Sequence, residues 1–389
     1  MTLTSRERVA RTLAHEEPDM VPIDIGSTAA WFTDTAYERT KAYFNLDTDG
    51  DHFRLGENSA HYDDALLDLI DTDFRHVYVR PSQADWDAWN QSDKISFVDE
   101  WGIRRLRVPS DYGGFNWEKV SNPLADATFE ELDSYPWPDP SDPVRIQGMA
   151  ERARYLWEET DYATAVRAVS HGLLESAWEL RGMEQLLVDL MIDKPFAHKL
   201  LENILQVQIG IYSALLDAVG PFVMVVQTAD DYGTQTGPLI SPALYREMIM
   251  PYRIRLNEFI RSKAPQAYIQ HHTCGSVYKL LPDLIDTGID ILNPVQPLAA
   301  DMDPARLKAE FGDKIVFHGA IDLQEAMCGT VEDVRREVET RVQQLGPGGG
   351  YIIAPCSNFQ ADSTVENILT MLATAREVGR YPLSNGGSS

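Results

Sequence analysis

The chain has 389 residues, 44% of them hydrophobic and 24% charged, which is enough for a large core and suits one big α/β barrel or two ordinary domains. With 60 acidic residues against 34 basic ones the formal net charge is −26, and so acidic a surface argues against DNA, RNA or anionic membrane as partner. No apolar run has membrane-spanning length, the N-terminus lacks an apolar signal core, and three cysteines make no disulfide framework, so a reducing cytoplasm is the expected setting.

Thr4 or Ser5 can cap a first helix running to about residue 15, with Glu7 near its first turn. Pro18 and Pro22 flank a break, and 21–26 reads as a first strand. Helical patterns over 34–44 and 61–70 precede a second strand at 74–79. From 81 to 143 the pattern changes to a segment rich in tryptophan, proline and aspartate. It reads as an insertion in which 94–98 and 102–108 form a hairpin, either a subdomain with its own aromatic core or a lid over substrate. After it come a helix at 144–159, a strand at 163–169, a long helix at 195–219 and a strand at 222–227. A helix at 242–263 is capped by Ser241 with Pro242 at its first position. Strands at 268–270, 290–293, 315–318 and 351–354 then alternate with helices at 277–286, 304–311, 331–345 and from Ser363 or Thr364 to about 378.

Eight strands alternate with helices, several of them short, apolar on both faces and bounded by Gly or Pro, as in a parallel sheet. A single TIM (β/α)8 barrel over 1–383 is therefore expected, with the insertion at about 81–143 and a disordered tail at 384–389. A doubly wound sheet is the alternative, but no strand is followed by G-x-G-x-x-G. The run Gly346–Gly350 precedes a strand and reads as a turn.

Barrel chemistry sits at the C-terminal ends of the strands. There the sequence places His272-x-Cys274, then Cys356 at the end of the last strand, Asp230 and Asp231 after the fourth, Asn293 and Gln296 after the sixth, and His318 on the seventh. One imidazole and two thiolates make a soft site for zinc with one position left open. Asp230 or Asp231 can cap a turn, orient His272 as a carboxylate partner, or act on substrate. His318 is either a donor to substrate oxygen or a structural histidine. Alternation points His271 away from His272, and Cys328 reads as an idle thiol.

Several stretches together resemble the uroporphyrinogen decarboxylase superfamily, on its methyltransferase side. They are Ser5-Arg6-Glu7-Arg8-Val9 through Glu17-Pro18-Asp19-Met20-Val21-Pro22-Ile23-Asp24, then Asp230 to Gln235, Leu239-Ile240-Ser241-Pro242, His272-Thr273-Cys274-Gly275-Ser276-Val277, Leu292 to Gln296, and Gly348 to Pro355. The resemblance implies a TIM barrel. It also implies zinc on His272, Cys274 and Cys356, a small methyl donor or acceptor as substrate, a corrinoid (cobalamin) carried by a partner protein, and a possible homodimer. The arginine-rich N-terminal motif of true uroporphyrinogen decarboxylases has no counterpart. The first-strand region is acidic and aromatic instead (Asp24, Trp31, Phe32, Asp34), so a substrate with many carboxylates finds no arginine cluster. The expected function is methyl transfer between a small substrate, such as a methoxylated aromatic, and the corrinoid, with Asp230, Asp231 and His318 as catalytic candidates. Alternatives are a methylcobamide:thiol methyltransferase, a metal-free decarboxylase or lyase on the same barrel, and a ligand-binding protein without turnover.

Overall fold

Residues 2–111 and 113–383 are described in the computed structural model; the tail expected to be disordered, 384–389, lies outside the described residues. Seven parallel strands form one curled sheet in sequential order: β1 (Phe74–Val77), β2 (Ala163–Val166), β3 (Val225–Ala229), β4 (Tyr268–His272), β5 (Ile291–Val295), β6 (Val316–Ile321) and β7 (Tyr351–Pro355). Almost every residue on them is buried on both faces. Helices cover the outside, which is why the strands read as continuous apolar runs rather than alternating ones.

The first strand expected from the sequence is present as an extended segment rather than a ladder. Ile353 N donates to Pro22 O (2.9 Å) and Asp24 N to Ile353 O (3.0 Å), while Asp73 N donates to Ile23 O (2.9 Å). Residues 22–24 thus bond to β7 on one side and to the entry of β1 on the other, bridging the two edges of the seven-stranded sheet. The buried Asp73 carboxylate fixes this junction. It accepts from Ile23 N (2.7 Å), Ser5 Oγ (2.7 Å), Arg8 Nη1 (2.5 Å) and Arg376 Nη1 (3.1 Å).

Helix boundaries follow local chemistry. Thr4 and Glu7 form a capping box on Ser5–Leu13, Thr330 and Asp333 another on Val331–Leu345. The expected helix at 242–263 is two helices, Pro242–Met248 and Met250–Lys263. Pro251 lacks the N–H that would continue the first one, and its ring crowds the preceding turn. The helix Lys194–Val219, with the turn to Phe222, is long and apolar enough to cross a membrane by length and composition, a run the sequence reading passed over. In the fold it packs on Met149–Glu158, Leu173–Arg181 and Met250–Lys263.

Within 81–143 the expected hairpin forms: Ser96–Val98 pairs antiparallel with Arg104–Pro109, and a third strand, Phe115–Lys119, extends the small sheet. Trp89, Phe97 and Trp117 pack on one another with ring centroids 5.3–5.9 Å apart, giving the segment an aromatic core. Phe97 and Trp101 also face a cavity at the mouth of the ring.

Candidate active site

β4 delivers the central histidine. Alternation separates its last two residues as expected: His271 is fully buried, with Nδ1 2.9 Å from Thr228 Oγ1, while His272 reaches the cavity. His272 Nδ1 lies 2.7 Å from Asn293 Oδ1, and Asn293 Nδ2 lies 2.7 Å from His318 Nδ1. An amide oxygen only accepts and an amide nitrogen only donates. His272 therefore carries its hydrogen on Nδ1 and presents the Nε2 lone pair to the cavity. His318 must then carry its hydrogen on Nε2, which donates to Asp24 Oδ2 at 2.9 Å. His76 Nε2 is 3.4 Å from the other oxygen of Asp24, and Tyr62 Oη is 3.1 Å from His76 Nδ1. Burial pushes the Asp24 carboxyl up, but His76 and His318 outweigh it and hold it well below the usual carboxylate range.

This buried chain from Tyr62 to His272 escaped the sequence reading. The available signal was a polar residue inside each of two apolar strand patterns, Asp24 and Asn293, both with no exposure at all. It also revises His318: with no exposure and both ring nitrogens bonded inside the protein, it has no donor left for substrate.

Asp230 likewise does not reach the cavity. Its carboxylate accepts from Leu173 N (2.9 Å), Leu174 N (2.9 Å) and Glu175 N (2.8 Å), the free amides that open the helix Leu173–Arg181. Tyr232 Oη (2.9 Å) and Arg253 Nη2 (3.2 Å) complete its shell. Burial pushes this carboxyl above its ordinary value, against the pull of Arg253 and the helix amides. In place of a catalytic carboxylate, Asp230 is a cap supplied by β3 to a neighbouring helix.

Asp231 does face the cavity. Its Oδ1 accepts from Cys274 N (2.8 Å) and lies 3.5 Å from His272 Nε2. Cys274 Sγ is also 3.5 Å from His272 Nε2. The loops after β3 and β4 can approach this closely because Gly233 and Gly275 meet: a Cβ on Gly275 would fall 2.6 Å from Gly233 C, and Gly275 has φ +79°. Asp231, His272 and Cys274 offer ligand atoms all within 4.8 Å of one another. Nitrogen or oxygen at about 2.1 Å and sulfur at about 2.3 Å from a tetrahedral zinc stand roughly 3.4–3.6 Å apart, so the two 3.5 Å spacings about His272 Nε2 fit that ion.

Cys356 stands beside this group but outside it. Among the described residues its thiol does not join the cluster of atoms within 4.8 Å; burial raises it to about 12, with the backbone of Leu323 acting against that. Gln296 ties the two cysteine-bearing loops together, accepting from Gly275 N (2.7 Å) and donating to Cys356 O (3.0 Å). Burial holds the Cys274 thiol well above its ordinary value, and the charges of Asp231, Glu175 and Cys356 add to the effect. A divalent cation among these groups would reverse that balance. Cys328 is exposed, its thiol bonded to Leu323 O (3.2 Å).

The cavity in front of this group holds about 380 Å3. Part of its wall is charged, which the sequence reading missed altogether. His171, Glu175 and Glu179 form a second cluster of ligand-type atoms, but the Lys119 ammonium already lies against Glu179 and His171. Lys119, with burial, depresses His171 to about 4, so this cluster has its cation. Burial, with Asp231 next, drives the Glu175 carboxyl well above the usual range. Arginines are present after all: Arg54, Arg105 and Arg167, distant in sequence, line one cavity.

Residues 116–378 match the family model described as Uroporphyrinogen decarboxylase (URO-D). The chain belongs to the uroporphyrinogen decarboxylase family. Within the solved structures, a methyltransferase from Methanosarcina mazei aligns with a TM-score of 0.68 at 16% identity, over 96% of this chain and 99% of that one, so the two share a fold. An endo-glycoceramidase II from a Rhodococcus species aligns at a TM-score of only 0.39 and 12% identity, over 91% of this chain and 80% of that one. No curated protein matches the sequence. The curled parallel sheet and its site at the C-terminal strand ends are thus a uroporphyrinogen decarboxylase-like, TIM-like arrangement.

Proposed function

We propose that this member of the uroporphyrinogen decarboxylase family is a zinc methyltransferase that moves a methyl group from a small methylated substrate to a corrinoid carried by a partner protein. The observation that supports it most is Cys274 Sγ and Asp231 Oδ1 each 3.5 Å from His272 Nε2, the separation of ligands on a tetrahedral zinc, beside a substrate-sized cavity. His272 and Cys274 are the principal ligands in this reading, with Asp231 or Cys356, at the end of β7, as the third, so that one position stays open to substrate. Zinc held there supplies Lewis acidity toward the heteroatom that releases its methyl group. The corrinoid and its carrier rest on the sequence resemblance.

The chain's own groups have definable work. Asn293 fixes the His272 ring with its lone pair forward. Phe97 and Trp101 shield one side of the cavity from water. Glu175, whose carboxyl burial and then Asp231 hold well above its ordinary range, can in its protonated form give a proton to the departing oxygen. A carboxyl that donates in its neutral form loses that capacity as pH rises through its raised pKa. We therefore expect the rate to fall on the alkaline side, and Glu175→Gln to be slow at every pH; a Glu175→Gln variant with wild-type rates and an unchanged profile would remove Glu175 from the reaction.

The test of the function is twofold. Purified protein should contain about one zinc per chain. When it is mixed with a reduced corrinoid protein and methoxylated or methylthio compounds, the absorption change of corrinoid methylation should follow. Protein free of zinc that turns over substrate without any corrinoid would favour the metal-free lyase instead. Asn293→Ala should weaken zinc binding about 10- to 100-fold, since it frees the His272 ring; chelator competition reads this directly, and unchanged affinity would mean that Asn293 does not orient the ligand.

A further inference from the structure

The cationic side chains around the cavity are mostly paired, while Asp85, Glu175 and Asp231 on the lining have no arginine or lysine ion pair among the described residues. Arg105 bonds Glu57 and Asp99, both at 2.8 Å, and Arg145 bonds Glu100 at 2.9 Å. Arg80 bonds Asp51 at 2.9 Å, and Lys119 meets Glu179. Two guanidinium groups on the same wall are left over. Arg167, at the end of β2, is 1% exposed and donates from Nη1 to Gly26 O, while its Nε has no partner. The Arg54 guanidinium makes no hydrogen bond or ion pair among the described residues, and Glu57, the carboxylate that acts on it, is already bonded to Arg105. Both lie against one ring: the guanidinium carbons of Arg167 and Arg54 are 5.0 and 5.1 Å from the centroid of Phe53. Burial and the charge of Arg54 lower Arg167 to about 9. Two adjacent cations, one buried and one half-buried, with no ion-pair partner of their own among the described residues are costly, and guanidinium forks match a carboxylate. The remaining lining beside them includes Phe53, Tyr78, Phe97 and Trp101, which suits a flat ring.

We propose that the substrate of this cavity is an aromatic acid carrying a methylated heteroatom, its carboxylate seated on Arg54 and Arg167 while the methylated end faces His272, Cys274 and Asp231. The two arginines set specificity by charge. This rests on the cavity being the substrate site of the reaction proposed above, yet it can fail separately, because binding needs neither corrinoid nor turnover.

The experiment is calorimetric titration of the full-length protein with 4-methoxybenzoate and with its neutral isostere 4-methoxybenzamide, for wild type, Arg54→Met and Arg167→Met. The acid should bind wild type at least about tenfold tighter than the amide, the scale of a charged hydrogen bond. That preference should disappear in each variant while the amide affinity stays within a few fold. Arg54, only half buried, provides the variant that folds even if Arg167→Met does not; melting curves and zinc content verify each fold. Equal binding of acid and amide to wild type, a preference that survives in Arg54→Met, or no binding of either probe overturns the proposal. Zinc-free protein that still prefers the acid leaves the carboxylate seat standing and removes only the zinc reading; zinc-loaded protein indifferent to the acid does the reverse. Inorganic phosphate run as a competitor separates a general oxyanion seat from a carboxylate one, and displacement of the acid by millimolar phosphate counts against the proposal.

Discussion

Replacing His272 by alanine is expected to strip zinc from the purified protein and to lower methyl transfer on the order of 10³-fold, the several kcal/mol a Lewis acid contributes to such a step. The argument is geometric. His272 Nε2 is the atom 3.5 Å from both Cys274 Sγ and Asp231 Oδ1, so its removal takes away the shared vertex of the site. Cys274→Ser should have nearly the same effect, since a hydroxyl is a poor zinc ligand. Cys356→Ser and Asp231→Asn distinguish the third ligand: the substitution that weakens zinc more identifies it. Elemental analysis of the four variants beside wild type decides the matter. Zinc retained at full occupancy in both His272→Ala and Cys274→Ser would end the metal reading.

Asp230→Ala is expected to destabilise the protein by about 3–5 kcal/mol, the usual consequence of leaving one member of a buried ion pair alone. Arg253 has no exposure, and its Nε and Nη1 are already without partners, so the lost carboxylate cannot be replaced by a shift of its fork. Three amides at the start of the helix Leu173–Arg181 lose their acceptor in the same substitution. That helix carries Glu175 and Glu179 on the cavity wall, so activity should fall with stability. Urea denaturation of wild type, Asp230→Ala and Asp230→Asn measures it. A variant as stable as wild type but inactive would restore Asp230 to the catalytic role first read from the sequence.

The contrast between Asp230 and Asp231 shows where sequence reasoning reaches its end. Both were legible as carboxylates at the end of a strand, because strand periodicity and the barrel rule locate that rim. Alternation then sends neighbours in opposite directions, but which of the two faces the cavity depends on the register of β3 against β4, fixed by pairs such as Thr228 with His271 and Ala229 with His272. His-x-Cys was legible because both ligands sit on one local element. The Asn293–His318–Asp24 chain joins residues up to 294 positions apart, and no local pattern announces it. The arginines failed to show for the same reason: they were sought as one N-terminal motif, whereas Arg54 and Arg167 gather only when the end of β2 and a loop before β1 share a wall. The alternation of strands and helices was read with most boundaries within a few residues, since burial on both faces leaves a strong apolar signature. Its misses were a break at Pro251 and a first strand that forms only a bridge.

The bridging of the sheet's two edges by residues 22–24 has a consequence for how the molecule is made. This stave and one of its bonded neighbours, Ile353, stand far apart along the chain. Until β7 is in place, residues 22–24 lack their bonds to Ile353 and the ring stays open on that side. Contacts of such sequence separation are slow to close, and open edges invite pairing with other chains. Truncations that stop short of β7 should therefore accumulate as aggregates rather than as smaller folded units.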